Sequence, residues 1–135
     1  MSSARHEFSR YAAEYGSRNV IQRLVAKQLV TTSARPKRVL DLGCGSGTLY
    51  SLIDWDVERF VGVDFSEQML EHHPKDSNVE LLWGNFNDPF LFESLKEERF
   101  DRIYSASALQ WAEDLDRVIE SLASLNTPMS LAIFT

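Results

Sequence analysis

VLDLGCGSGTL, residues 39–49, decides how the rest of this 135-residue chain is read. Val39 and Leu40 open an apolar run that passes through Asp41 and Leu42. Glycine then takes alternate positions, Gly43, Gly45 and Gly47, ahead of a helix-forming segment. That pattern predicts a buried strand breaking into a tight loop against a helix N-terminus. In such a loop a ligand can lie on bare backbone N–H groups. The spacing is G-x-G-x-G, whereas the dinucleotide fingerprint needs glycine at position 48, which is Thr48. The loop therefore predicts a Rossmann-like site other than the usual nicotinamide one.

Outward from this loop, strands and helices alternate. Strands are predicted over 38–42, 59–63, 79–83, 100–105 and 129–134, and helices over 47–53, 66–71, 90–96 and 114–125. Ser66 is placed to cap the second of these helices. Upstream, residues 6–31 read as helix, interrupted near Gly16, with Ile21, Leu24, Val25 and Leu29 on one face. Pro36 ends the connecting loop. Alternation at this spacing implies right-handed crossovers. The expected fold is α/β: a Rossmann-like, doubly wound sheet of five parallel strands, with an N-terminal helical segment over residues 1–35 and the sheet domain over 36–135. Ligands of such sheets bind at the carboxyl ends of the strands, where the glycine loop lies.

Composition is that of an ordinary globular domain, 44% hydrophobic and 25% charged. Cys44 is the only cysteine, so no disulfide forms within the chain, and a reducing cytoplasm is expected. The polar N-terminus lacks the apolar segment of a secretory signal, and no apolar run reaches bilayer length, so no membrane is expected. Net charge is −6, which argues against nucleic acid as partner. The charge is unevenly spread, with 8 of the 14 Lys and Arg in residues 1–38 beside only Glu7 and Glu14. This basic arm is either a solvated helix face complementing the acidic body or a docking surface. There is no metal-ligand spacing, Walker A or G-x-S-x-G, and no catalytic acid, base or nucleophile stands out. His72 and His73 are expected on the far side of the second helix.

Asp64 ends the second strand, 23 positions after Asp41. A carboxylate there accepts two donors at once and suits the hydroxyls of a ribose. Equally, it could be a strand-end acid facing a helix dipole. Beyond the third strand, Asn85 offers an acceptor for an exocyclic amine. Phe65, Met69 and Phe86 offer apolar surface for an adenine, unless they are ordinary core.

Together the glycine loop, Asp64, the Gly84-Asn85 turn and FDRIYSASALQW at 100–111 resemble class I S-adenosylmethionine-dependent methyltransferases, over roughly residues 38–135. EFSRYAAEY at 7–15 with ALQW at 108–111 is similar to the malonyl-acyl-carrier-protein O-methyltransferases of biotin biosynthesis. The resemblance implies that Asp41, Gly43, Cys44 and Gly45 hold the methionine part of S-adenosylmethionine, which Ser105 approaches. It implies ribose on Asp64, adenine near Phe65 and Met69, and the adenine edge at Asn85 and Phe86. Arg10, Tyr11 and Tyr15 would lie on a lid, with Arg10 and Tyr15 on the cofactor. Tyr11, Leu109, Gln110 and Trp111 would line the substrate side. Two positions depart from the family pattern: Asn85, where Asp is usual, and Ala106, where Asn is frequent.

The resemblance implies O-methylation of a carboxylate such as malonyl-acyl-carrier protein. The alternatives are another small carboxylic acid, trans-aconitate-like, or a cofactor-binding module without catalysis. An acidic carrier protein would suit the basic arm. The chain ends at Thr135, near the fifth strand, whereas the family continues with a helix and two more strands. A truncated form is therefore expected, which binds cofactor better than it turns over substrate and is able to dimerise through its terminal strand.

Overall fold

The computed structural model describes residues 18–106 and 109–132. In chain order these form α1 (Arg18–Thr31), β1 (Arg38–Leu42), α2 (Thr48–Ser51), β2 (Arg59–Asp64), α3 (Glu67–His72), β3 (Val79–Trp83), α4 (Pro89–Leu95), β4 (Arg102–Ala106), a 3₁₀ turn (Leu109–Trp111), α5 (Leu115–Ala123) and β5 (Met129–Ala132). The five strands make one sheet in the order β3-β2-β1-β4-β5, every pair parallel. The chain winds outward from β1 to β3, then returns across the sheet to β4. Between β1 and β4 lies the switch point, and β1 ends in the glycine loop there.

Alternation along each strand divides the core. Leu40, Leu42, Val61, Val63 and Ile103 meet Phe92 and Leu95 of α4 and Val118 and Leu122 of α5 on one face. Val39, Phe60 and Tyr104 meet Ala26, Leu29 and Val30 of α1 and Leu49 of α2 on the other. Asp41 follows Val39 by two positions and Asp64 follows Phe60 by four, so both carboxylates belong to the α1–α2 face.

Helix starts follow local chemistry. Ser66 caps α3 by accepting from Met69 N at 3.3 Å. Asp88 caps α4 by accepting from Phe90 N at 3.0 Å, with Pro89 in the first turn. At the opposite end of the sheet, Arg59 bonds Glu98 at 2.7 Å and also Glu80, while Arg38 bonds Glu98 at 3.1 Å. This ion cluster ties β1, β2 and β3 at their starts, away from the glycine loop.

The expected buried stripe of α1 is rotated. Leu24 is 63% exposed, whereas Ala26, Leu29 and Val30 are buried. Ala26, with its small side chain, lets the helix axis approach the sheet, and a leucine facing inward there would hold it off. β4 begins two residues later than expected. Phe100 is drawn into the core, and the Asp101 carboxylate accepts from the backbone N–H groups of Lys37 and Arg38 while its own N–H donates to Arg38 O. β5 was expected to reach residue 134, and positions 133–135 lie outside the described residues.

Candidate functional site

A cavity of about 350 Å³ opens at the carboxyl end of β1 and β2. Its floor is the glycine loop. Gly43, Gly45 and Gly47 all have positive φ, of 81°, 55° and 98°, a region where a side chain is strained. At Gly47 there is a second constraint: an added Cβ would stand 2.6 Å from Pro74 Cδ. At Gly45 such a Cβ would meet nothing within 4 Å, so the missing side chain leaves room beside the cavity.

The N–H groups of Gly43, Cys44, Gly45 and Gly47 are not bare, contrary to the expectation from the sequence. Gly43 N and Cys44 N both donate to Val63 O, at 2.7 and 2.9 Å. Gly47 N donates to Cys44 O at 3.2 Å, and Gly45 N to Asp64 Oδ1 at 3.2 Å. The tight turn that brings the loop over β2 consumes these donors in holding its own shape. Gly62, which sequence reasoning passed over, makes that return possible: a Cβ there would lie 2.9 Å from Cys44 Sγ.

Two carboxylates face the cavity. Asp64 is held at both oxygens, with Oδ1 accepting from Gly45 N and Oδ2 from Ser66 N at 3.0 Å. Each oxygen keeps a further lone pair for a hydroxyl donor. Asp41 is buried, and its Oδ2 has no hydrogen-bond partner. Burial, reinforced by the Asp64 charge, raises its pKa from 3.8 to about 8. No Lys, Arg or His lies among the described lining residues to neutralise the pair. The site therefore suits a ligand that brings positive charge and hydroxyl donors of its own. Burial and the same two carboxylates push the Cys44 thiol upward, so it stays protonated at neutral pH and is no nucleophile.

Of the residues expected at the site, Asp41, Gly43, Cys44, Gly45, Asp64, Phe65, Met69, Phe86 and Trp111 line this cavity. Phe65 and Met69 form an open apolar edge, 61% and 47% exposed, while Phe86 is buried. Three others are not on the wall. The Ser105 hydroxyl is buried and donates to Leu42 O at 2.8 Å, tying β4 to β1. Strand alternation sends Ser105 with Ile103 to one face and Ala106 with Tyr104 to the other, so Ala106 lines the cavity instead. Leu109 is buried in the α4–α5 core. Asn85 is exposed, and its Oδ1 accepts from Asn87 N at 2.9 Å, shaping the turn between Gly84 and Phe86. Arg10, Tyr11, Tyr15 and the Gln110 side chain lie outside the described residues.

The wall also holds residues that the sequence reading did not place at the site, including Gln22 and Ala26 of α1, Ser46, Thr48 and Ser66. The α1 pair was hidden by the rotation of that helix: Gln22 and Ala26 are one turn apart on the face that Leu24 was expected to share. His73, expected on the far side of α3, is instead buried behind the glycine loop. Its ring lies 3.3 Å from where a Gly47 Cβ would be and stacks near Tyr50 and Phe60. Its Nδ1 donates to Pro74 O at 2.8 Å, and burial lowers its pKa.

Comparison with known proteins converges on this arrangement. The methyltransferase domain family matches residues 39–129. The malonyl-[acyl-carrier protein] O-methyltransferase of Chlorobium luteolum is 31% identical over 147 aligned residues, covering 97% of this chain and 54% of that protein. The trans-aconitate 2-methyltransferase of an Enterobacter species is 34% identical over 64% of this chain and 34% of its own length. Among solved structures, a chain of a Haloferax volcanii complex between a methyltransferase and its activator superposes with a TM-score of 0.69. It is 25% identical and covers 94% of this chain and 60% of its own. The chain spans about half the length of the curated malonyl-[acyl-carrier protein] relatives it matches. Glycine loop, paired carboxylates, strand order and family match agree: the chain belongs to the class I methyltransferases, whose cofactor is S-adenosylmethionine.

Proposed function

We propose that this chain carries the cofactor-binding part of an O-methyltransferase acting on a carboxylate, with malonyl-acyl-carrier protein as acceptor. The observation that carries the cofactor half of this reading is the buried Asp41 carboxylate with an unpartnered oxygen, beside Asp64, in a cavity whose described wall has no cation. S-adenosylmethionine carries an ammonium and a sulfonium, two ribose hydroxyls and an adenine. Asp41 would take the ammonium, Asp64 the hydroxyls, and the Phe65–Met69 edge the adenine, with Phe86 behind. When bound, the cofactor supplies a methyl group on sulfur, already activated for in-line displacement.

The protein's own task is then to bind, align and exclude water. A carboxylate acceptor is ionised at neutral pH and needs no general base. Residues 1–35, with Arg10, Tyr11 and Tyr15, act in this reading as a lid, and their basic charge draws in an acidic carrier protein. The acceptor assignment is supported by the names of relatives matched along most of the chain. Trans-aconitate is the second reading, supported by a shorter match.

The test is methyl transfer from radiolabelled cofactor to malonyl carrier protein, free malonate and trans-aconitate in parallel. Labelling of the carrier protein above the free acids supports the reading. Preferential labelling of trans-aconitate replaces it with the second. Cofactor binding with no label on any acceptor leaves a binding module.

A further inference from the structure

The methionine end of S-adenosylmethionine is a zwitterion, and the cavity provides for only half of it at Asp41. An α-carboxylate brought close to Asp41 and Asp64 needs hydrogen-bond donors to offset two negative neighbours. The glycine loop cannot supply four of its N–H groups, because Gly43, Cys44, Gly45 and Gly47 spend them on Val63 O, Asp64 Oδ1 and Cys44 O. No Lys, Arg or His lies among the described lining residues. Neutral side chains on the described wall are a further source of donors.

Gln22 is the one amide on the described wall, and it comes from α1 rather than from the loop. Its place follows from the packing. Ala26 is buried in the cluster that holds Val39. One turn back along α1, about 5.4 Å, is Gln22. Two residues onward along β1, about 6.6 Å, is Asp41. Both reach the same cavity. Among the described residues, no hydrogen bond holds the Gln22 carboxamide, so both of its N–H donors are available. Ser66 is less suited: its hydroxyl accepts from Met69 N and its N–H is on Asp64, at the ribose end.

We infer that Gln22 binds the α-carboxylate of the cofactor, completing with Asp41 a two-sided grip on its methionine end. The inference rests on the cofactor reading above and extends it to a residue of α1. It gives that helix a direct part in binding, so that docking of α1 on the sheet and filling of the cavity are coupled.

The experiment is calorimetric titration of wild type, Gln22→Ala and Gln22→Glu with two ligands. One is S-adenosylhomocysteine. The other is methylthioadenosine, which keeps the nucleoside and lacks the amino-acid end. Gln22→Ala is expected to bind S-adenosylhomocysteine about 10- to 100-fold more weakly, as for loss of a hydrogen bond to a charged group. Methylthioadenosine binding should stay unchanged. Gln22→Glu should weaken S-adenosylhomocysteine further, by placing a third carboxylate against the ligand's own. Equal losses for both ligands, or no loss for either, would overturn the assignment. Tighter binding by Gln22→Glu would overturn it too, placing position 22 at the ammonium. If wild type binds neither ligand, the cofactor reading itself fails and takes this inference with it. Thermal melts of the three proteins show whether Gln22→Ala has merely loosened α1.

Discussion

Asp41→Asn should make the unliganded protein more stable at neutral pH while making it a worse binder. In the folded chain the Asp41 carboxyl titrates at about 8, against 3.8 for an unburied group. Below 3.8 it is protonated whether folded or unfolded, and nothing is lost. As pH rises, the unfolded chain gives up this proton while the native state keeps it, so stability falls until pH passes 8. At pH 7 the gap corresponds to about 4 kcal/mol as an upper bound, at about 1.4 kcal/mol per pH unit. Water in the adjoining cavity reduces the effect, and about 2 kcal/mol is the working figure, or roughly 5–10 °C in Tm. Asparagine has nearly the same shape and no charge to bury. Denaturant melts of wild type and Asp41→Asn at pH 4 and pH 7 measure the difference. The expected result is a gain at pH 7 that vanishes at pH 4, together with a loss of S-adenosylhomocysteine affinity of at least about tenfold. Wild-type affinity should also climb between pH 6 and pH 8 as Asp41 ionises, while that of Asp41→Asn stays flat. A stability gain equal at both pH values, or a destabilised variant at pH 7, would refute the reasoning.

Other substitutions separate shape from contact. Gly47→Ala should cost about 2–4 kcal/mol by chemical denaturation, since it adds strain at φ 98° to an overlap with Pro74. Gly45→Ala meets no neighbour and should cost only about 1 kcal/mol, yet its methyl group at the cavity should weaken S-adenosylhomocysteine in calorimetry by more than about tenfold. Ser105→Ala loses the bond to Leu42 O and should cost about 1 kcal/mol, with ligand affinity changed by less than about twofold. A large affinity loss there would return Ser105 to the methionine end. Charge reversal at Arg5, Arg18 and Arg23 should slow methylation of carrier protein at low salt, and the difference should fade by about 0.5 M salt.

Much of this architecture is legible in the sequence because parallel strands buried on both faces are apolar runs bounded by turns. RVLDL and RFVGVD announce themselves in this way, the edge strand VELLW by its short apolar run, and Ser66 marks the start of its helix. Asp64 is legible because it lies at a fixed place, the end of the second strand. What escapes is set by contacts between distant segments. Leu24 looks more suited to burial than Ala26, and only the closeness of α1 to the sheet reverses that order. Ser105 and Ala106 both stand at the end of the fourth strand, and only their alternation with Ile103 and Tyr104 decides which of them reaches the cavity. Gly62 reads as a weak spot in a strand until Cys44 is seen lying over it. The loop glycines promise free N–H groups, and the turn they permit uses those groups up.

Calorimetric titration of the 135-residue chain with S-adenosylhomocysteine, and separately with NADH, tests the central claim most directly. Saturable binding of one S-adenosylhomocysteine per chain, lost in Asp64→Ala, with no heat from NADH, is the predicted result. Binding of NADH without S-adenosylhomocysteine, or S-adenosylhomocysteine binding unaffected by Asp64→Ala, would contradict it.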